Sequence, residues 1–150
     1  MIERGIAHAV VYDSFTAARD GKTNTGHALP APNSMGPLPM HMMMEAGDAS
    51  LEELIKGVGR GIYVTRFHYT NTVHPVKTLF TGMTRDGTFL IEHGEITQPI
   101  KNLRFTQNIL DVLKGVQALG RERIQSTEYL TVVAPALRAA KFNFTGITGA

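Results

Sequence analysis

The 150-residue sequence contains no cysteine. Disulfides, thiolate zinc sites and a cysteine nucleophile are therefore excluded within this chain, and the composition suits a reducing compartment. Long hydrophobic runs are missing as well. The start, MIERGIAHAVVYDSF, places Glu3 and Arg4 before a short apolar stretch, which fits neither a signal peptide nor a membrane span. We therefore expect a soluble, cytoplasmic protein with no membrane contact.

A concentrated block of charge is also absent. Fifteen Lys and Arg residues oppose thirteen Asp and Glu residues, and the resulting net charge of +2 is spread along the sequence. Because no Lys/Arg run and no basic helix face occurs, the charge pattern does not favour a nucleic acid partner.

Catalytic motifs are missing too. The sequence has no Gly-x-Ser-x-Gly, no Gly-x-Gly-x-x-Gly and no Walker-type loop. Its histidines never form the His-Glu-x-x-His or His-Glu-x-x-x-His spacing that puts two imidazoles and a carboxylate on one helical face. We therefore assign no catalytic residue and no metal ligand from motifs.

What the chain does have is enough apolar sequence for one ordinary core. Its hydrophobic content of 43% over 150 residues predicts a single domain, residues 1–150. Residues 6–12, IAHAVVY, have the β-branched content of a buried strand, in which His8 would be partly buried. Ser14 can then cap a short helix that ends at Gly21.

Residues 22–48 carry four of the seven prolines and show no sustained period. They predict a long loop that binds or covers something. Within this loop, Met40-His41-Met42-Met43-Met44 favours a core or interface strand over a copper site, although thioethers and imidazole suit Cu(I).

The middle of the chain gives clearer local signals. Ser50-Leu51-Glu52-Glu53 fits a capping box that begins a helix ending near Gly59. From Gly61 onward apolar residues alternate, and Asp86-Gly87 and His93-Gly94 predict two turns of an antiparallel meander.

The last third predicts one more helix and a final strand pair. Residues 109–120 form an amphipathic pattern closed by Gly120, and residues 129–133 and 136–144 read as strands separated by Ala134-Pro135. The order of elements favours an α+β fold with a mainly antiparallel sheet and two or three amphipathic helices.

Three side chains are candidates for substrate contacts: His27 in the loop, and Arg66 and His68 in the alternating segment YVTRFHY. A lone Arg in such a strand must face solvent, a partner or an acidic group, so a structural ion pair and a substrate-carboxylate contact both remain open. His68 and His74 bracket a strand end and could meet across a bend, either as surface histidines or as metal ligands.

Beyond these patterns, the sequence resembles the C-terminal part of the TldD/PmbA family, whose members include zinc metallopeptidases and were once described as modulators of DNA gyrase. The resemblance is carried by GIYVTRFHYTN, TGMTRDGTFLIEHGEITQPIKNLRFTQNILDVL and VVAPALRAAKFNFTG. The upstream segments IERGIAHAVVYDSFTAA, TGHALP and GDASLEELI agree with it.

In the family's peptidases, the resemblance implies, zinc is held by two histidines of a His-Glu-x-x-x-His helix and by a cysteine nearer the C-terminus. This sequence contains neither, and the region from Arg121 to Val133 offers Arg, Glu, Gln, Ser and Thr instead. No metal ligand is therefore carried over, no cofactor is expected on this chain, and the sequence is closer to the metal-free PmbA/TldE type.

We therefore expect a non-catalytic C-terminal domain, either a fragment or a short natural form, that contributes a substrate groove and a subunit interface. Its partners would be further copies of itself or a TldD-like subunit, and an extended peptide could bind by strand addition, with His27, Arg66 and His68 as contacts. Two alternatives remain: a stand-alone module for a peptide or a DNA-associated partner, and an enzyme with a metal site built from His27, His41, His68 or His74.

Overall fold

The computed structural model describes residues 1–127 and 130–147. It is a mixed α+β structure whose sheets are mainly antiparallel, which confirms the predicted fold class. The chain divides into two compact units, residues 1–45 with 124–134 and residues 46–123 with 135–150. The single-domain organisation stays a prediction. Within the described residues, no helix is both long and apolar enough to span a bilayer.

The first unit begins with a small hairpin. Strand β1 (Ile2–Glu3) pairs antiparallel with β2 (Ile6–Ala7), and the side chains of both strands are exposed. The predicted buried strand over residues 6–12 is therefore wrong: regular pairing stops at Ala7, and His8 is exposed, with Nε2 4.0 Å from the Glu3 carboxylate.

Helix α1 (Ser14–Asp20) starts one residue earlier than predicted, because its N-cap is Asp13 and not Ser14. The Asp13 carboxylate accepts a hydrogen bond from Thr16 N at 2.7 Å. Gly21, in the left-handed conformation at φ 62°, ends the helix as expected.

The long loop contains one short strand, β3 (His41–Met43), which runs parallel to residues 131–133. The methionine segment does form a strand, but the core prediction is wrong because all three residues are exposed, Met43 to 65%. Its role as an interface strand stays a prediction.

The second unit holds two helices and most of the strands. Helix α2 (Leu51–Lys56) has the predicted capping box, since Ser50 accepts from Glu53 N while Glu53 accepts from Ser50 N. The helix ends at Gly57, two residues before the predicted Gly59. Leu54 is 5% exposed and faces the core, whereas Leu51 is 46% exposed.

Five strands form the main sheet in the order β10-β7-β5-β4, with β6 also paired to β5. All of its pairings are antiparallel, and β4 lies at the edge with β5 as its neighbour. The strands are β4 (Arg60–His74), β5 (Leu79–Glu92), β6 (Glu95–Pro99), β7 (Leu103–Asn108) and β10 (Phe144–Ile147).

One of the two predicted turns is confirmed and the other is wrong. His93 and Gly94, with φ of 54° and 81°, join β5 to β6 in a two-residue hairpin. Asp86 and Gly87 instead lie inside the continuous strand β5. They form a β-bulge, because these two residues stand opposite the single residue Thr65 between the pairs Val64↔Thr88 and Arg66↔Arg85.

Helix α3 (Ile109–Lys114) ends at Gly115, not at Gly120, and residues beyond it form strand β8 (Val116–Ser126). Strand β9 (Thr131–Ala139) runs through Ala134-Pro135, so the predicted break between two final strands is also wrong. Part of the predicted strand over residues 129–133, Tyr129, lies outside the described residues.

The core of the second unit lies on one face of the main sheet. Phe105 on β7 is 2% exposed, and its ring contacts those of Phe67 and Phe142 at centroid distances of 5.0 and 5.3 Å. Thr84 is fully buried on the same face, where its Oγ1 accepts hydrogen bonds from Leu103 N and Thr88 Oγ1. Even-numbered positions at this end of β5 therefore point into the core and odd-numbered positions point away from it.

Candidate functional site

Strand β4 is an edge strand of the main sheet in the second unit. The strand is 15 residues long and most of its residues are exposed. Since β5 is its neighbour on one side and it ends the strand order, the backbone N–H and C=O groups on its outer side have no strand partner among the described residues. Such an edge can pair with another extended chain.

Arg66 and His68 lie side by side on β4, so the structure brings together two of the three predicted contact residues. The pairs Arg66↔Arg85, Phe67↔Thr84 and His68↔Met83 form an unbroken register. Phe67 is 41% exposed, but its ring contacts that of the buried Phe105, so it lies on the face of the sheet that carries the core and Arg66 and His68 project from the opposite face.

Two bulges bracket this three-residue segment. The first is the Asp86-Gly87 bulge on β5, and the second lies on β4, where two residues, Tyr69 and Thr70, oppose the single Gly82. Tyr69 has a φ of 53°, which non-glycine residues adopt only in special positions such as bulges. Position 82 needs glycine, because a Cβ there would lie 2.8 Å from the Phe105 ring and 3.1 Å from the His68 carbonyl oxygen.

The first bulge determines the partner of Arg66. Asp86, at φ 64°, presents its carboxylate to β4, and Arg66 Nε donates to Asp86 Oδ2 at 2.5 Å. Arg85 Nε lies 3.8 Å from the other carboxylate oxygen. The hydrogen bond from Arg66 holds the pKa of Asp86 below its ordinary value, and the charges of Arg66, Arg85 and His68 act in the same direction. Arg66 therefore forms the structural ion pair that the sequence left open.

The hydrogen-bonding capacity of His68 is less well satisfied than that of Arg66. Its Nδ1 atom is buried and has no hydrogen-bond partner within the described part of the chain. Its ring lies next to the Tyr69 ring at a centroid distance of 6.4 Å. A buried ring nitrogen without a partner is uncommon in folded proteins.

His27 belongs to the first unit, and its surroundings are separate. Thr25 Oγ1 lies 2.9 Å from His27 Nδ1, accepts from Tyr12 N at 2.6 Å, and donates its single proton to Tyr12 O at 3.0 Å. These contacts tie His27 to the backbone of Tyr12 within the first unit. The predicted role of His27 in substrate binding stays a prediction.

Two of the histidines proposed as an alternative metal site, His68 and His74, both lie on β4. His68 pairs with Met83 and His74 with Leu79, so they occupy separate positions along β4 and do not meet across a bend. His74 Nδ1 accepts from Lys77 N at 3.4 Å. Over residues 1–127 and 130–147, no group of three or more His, Cys, Asp or Glu side chains is placed to hold a metal ion. The described residues therefore do not fit a zinc centre, which needs at least three protein ligands.

Sequence reasoning missed Arg85 and Asp86 as members of this site. Both belong to the segment Thr84-Arg85-Asp86-Gly87, which reads locally as a turn. The sequence feature that indicated an acidic residue at this site was Arg66, a cation in an alternating strand that requires an acidic partner.

Comparison with known proteins decides the family. A model described as the PmbA/TldA metallopeptidase C-terminal domain matches residues 1–146. The chain belongs to the TldD/PmbA family. This confirms the resemblance drawn from the sequence.

Relatives in the TldD/PmbA family carry both metalloprotease and TldE names. A "Metalloprotease" from Methanothermobacter thermautotrophicus is 29% identical over 126 residues, which are 81% of this chain and 27% of the relative. A "Metalloprotease TldD homolog" from Buchnera aphidicola is 30% identical over 122 residues, covering 80% of this chain and 25% of the relative. The chain thus spans about a quarter of the length of these curated relatives.

The fold agrees with a solved family structure. TldE from Thermococcus kodakarensis superposes with a TM-score of 0.77 at 25% identity, covering 99% of this chain and 33% of that one. The α+β architecture of the C-terminal domain is therefore shared by the two proteins, and the chain corresponds to a third of the solved one.

Proposed function

We propose that this chain is a non-catalytic C-terminal domain of a TldD/PmbA-type metallopeptidase system, and that it holds an extended peptide along the edge of β4. The observation that carries this proposal is the open edge itself. The catalytic metal is bound outside the described residues, either by a TldD-like partner subunit or by another segment of the same assembly.

Strand addition suits this edge because β4 is regular over the segments that a peptide would pair with. Residues 60–64 pair with β5 without interruption, as do residues 66–68. Five strand residues span roughly 17 Å at 3.3–3.4 Å per residue, enough to align several backbone groups of a peptide. The bulge at Tyr69 and Thr70, which lies on β4 itself, limits the length of any added strand, which restrains uncontrolled pairing of the edge.

Backbone pairing gives affinity with little sequence preference, which suits a domain that presents unfolded peptides for cleavage. The same edge could alternatively join this chain to a partner subunit or to a second copy. The family match supports the metallopeptidase system, and the separate positions of His68 and His74 along β4 support a non-catalytic part in it.

A cleavage assay tests the role in proteolysis. A TldD-type metallopeptidase would be assayed on an unstructured fluorogenic peptide with and without an equimolar amount of this chain. We expect the cleavage rate to rise when the chain is present. An unchanged rate over a full titration would overturn this part of the proposal.

A binding assay tests the mode of contact. A labelled extended peptide would be titrated with the 150-residue chain, in parallel with the same peptide N-methylated at alternate residues. N-methylation removes backbone N–H donors while retaining every side chain, so the methylated peptide is expected to bind at least about tenfold more weakly. Equal binding of both peptides would exclude pairing with the strand edge.

A further inference from the structure

The methionine-rich segment, residues 40–44, lies at a sheet edge in the first unit. Its strand β3 pairs with residues 131–133 on one side and ends the strand order, so its other side has no strand partner among the described residues. Two backbone hydrogen bonds to residues 131–133 hold the ends of the segment: Met40 accepts one at 3.0 Å, and Met44 donates the other at 2.8 Å. The backbone is therefore extended along the whole segment.

This extended backbone divides the side chains between two faces. Residues two apart on a strand point the same way, so His41 and Met43 share one face, while Met42 points to the other. His41 is exposed, and Met43 is 65% exposed. The His41 imidazole makes no hydrogen bond or ion pair with any residue in the described part of the chain. An imidazole and a thioether thus stand uncovered on one face of an edge strand.

The exposure of β3 leaves its methionines without a packing role. A core strand would bury them, whereas here all three strand residues are exposed. Apolar side chains exposed in an unbroken run are typical of surfaces that bind something. A thioether is a soft donor that selects Cu(I), and imidazole also suits copper. Zinc needs at least three protein ligands of harder character, so two such donors favour Cu(I) over zinc.

We propose that His41 and Met43 bind one Cu(I) ion on the exposed face of β3. The imidazole nitrogen and the thioether sulfur each donate a lone pair to the ion, and no bond of the protein breaks. This site is independent of the peptide binding proposed along β4.

The spacing of the two residues suits a shared ion. Alternate residues of a strand have their Cα atoms about 6.7 Å apart, at 3.3–3.4 Å per residue. Bonds from a metal to nitrogen and sulfur are about 2.0 and 2.3 Å long, so the two donor atoms lie about 4 Å apart across the ion. Each side chain therefore leans only about 1 Å along the strand to reach it. The flexible Met43 side chain adapts easily to this geometry.

A competition titration tests the site. The 150-residue chain would be titrated without oxygen against the chromophoric Cu(I) chelator bicinchoninate. Loss of either ligand, in His41→Ala or Met43→Leu, is expected to weaken Cu(I) binding at least about tenfold. Met42→Leu is the matched control, because it removes a neighbouring thioether from the opposite face and should leave the affinity within about twofold of the original. Leucine keeps the size and apolar character of methionine, so both leucine variants should fold.

Methyl NMR locates the ion. The chain has seven methionines, and Cu(I) is diamagnetic, so their methyl signals stay visible on binding. We expect the Met43 signal to move as Cu(I) is added, while the signal of Met35, outside the segment, stays in place. Zn²⁺ should leave the Met43 signal unchanged, because a thioether is a poor ligand for it.

Three results would overturn this proposal. Failure of the chain to take Cu(I) from the chelator at any ratio would exclude the site. Equal weakening in Met42→Leu and Met43→Leu would exclude its assignment to one face of β3. A Met43 methyl signal that moves with protein concentration in the absence of metal would replace the ion by a second copy of the chain, joined through this edge.

Discussion

Arg66 on the edge strand β4 donates a hydrogen bond to Asp86, which lies twenty residues later in the bulge of β5. The bulge adds one residue to β5 and turns the Asp86 side chain toward the neighbouring strand. The ion pair therefore depends on the register of the two strands as well as on the two charges. It holds the Arg66 guanidinium toward β5, the inner neighbour of the edge strand.

The first prediction concerns the titration of Asp86. Its pKa lies below the ordinary value mainly because Arg66 donates to the charged carboxylate, so Arg66→Gln should raise it. A depressed pKa contributes stability at pH values above the unfolded-state pKa, and this contribution is lost as pH falls through the folded-state pKa. Carboxyl-carbon NMR measured from about pH 2 to 6 would follow the titration.

Arg60→Gln is the control for this titration, since Arg60 pairs with Glu92 at 3.8 Å and not with Asp86. An Asp86 pKa that stayed the same in Arg66→Gln would show that the ion pair does not form in solution.

The second prediction concerns the buried face of α2. Leu54 is 5% exposed, so Leu54→Ala should lower the free energy of unfolding by about 2–5 kcal/mol through lost burial and a residual cavity. Leu51 lies one turn earlier on the same helix but is 46% exposed, so Leu51→Ala should cost about 1 kcal/mol or less. Urea denaturation of both variants measures the difference, and similar losses would mean that Leu54 does not face the core.

The third prediction concerns the hairpin between β5 and β6. Gly94 has a φ of 81°, and a Cβ there would lie 2.8 Å from the Lys56 carbonyl oxygen. Gly94→Ala should therefore cost more than about 1 kcal/mol, from backbone strain and from this close approach. Gly59→Ala is the control, because a Cβ at Gly59 meets nothing within 4 Å. Thermal unfolding of the two variants should separate them, and equal midpoints would argue against a left-handed backbone at Gly94.

Local signals predicted some elements correctly because a few neighbouring residues decide them. The capping box of α2 needs only Ser50 and Glu53, and the hairpin at His93-Gly94 needs only two residues with positive φ. Such features form in the same way in many folds. They could therefore be read from the sequence without knowing what packs around them.

Other local sequence patterns predicted the wrong structure, because strands that are distant in the sequence determine the conformation of these segments. Asp86-Gly87 has the composition of a turn, yet β4 pairs with both sides of it and turns it into a bulge. The helical pattern after Gly115 gives way to β8, where Gly120 and Arg121 bond with the backbone of Gly47 and Ala49, about seventy residues away. Contacts at such separations leave no trace in local periodicity.

The residues of the candidate site could be predicted from the sequence only in part. Arg66 could be singled out because a cation in an alternating strand requires a partner, but Asp86 could not be identified before the register of β4 and β5 was known. The facing positions of Arg66 and Arg85 were hidden for the same reason, since the two residues lie about twenty positions apart in the sequence and become neighbours only through strand pairing.

The last prediction concerns the start of α1, where sequence and structure name different caps. Asp13 accepts from Thr16 N at 2.7 Å, and Thr16 Oγ1 accepts from Asp13 N at 3.2 Å, so both ends of a capping box are formed. Ser14 occupies the first helical position. Asp13→Ala should therefore destabilise the helix more than Ser14→Ala does, because it alone leaves a backbone N–H without its acceptor.

Hydrogen exchange of the α1 amides gives a local measure of this difference. The hydrogen bonds from Thr16 hold the pKa of Asp13 below its ordinary value, so the protection of α1 should also decrease as pH falls through the pKa of Asp13 in the folded protein. In Asp13→Asn, which keeps an acceptor but not the charge, protection should lose this pH dependence while exceeding that of the alanine variant. Faster exchange in Ser14→Ala than in Asp13→Ala would instead restore Ser14 as the cap, and would place the start of the helix one residue later.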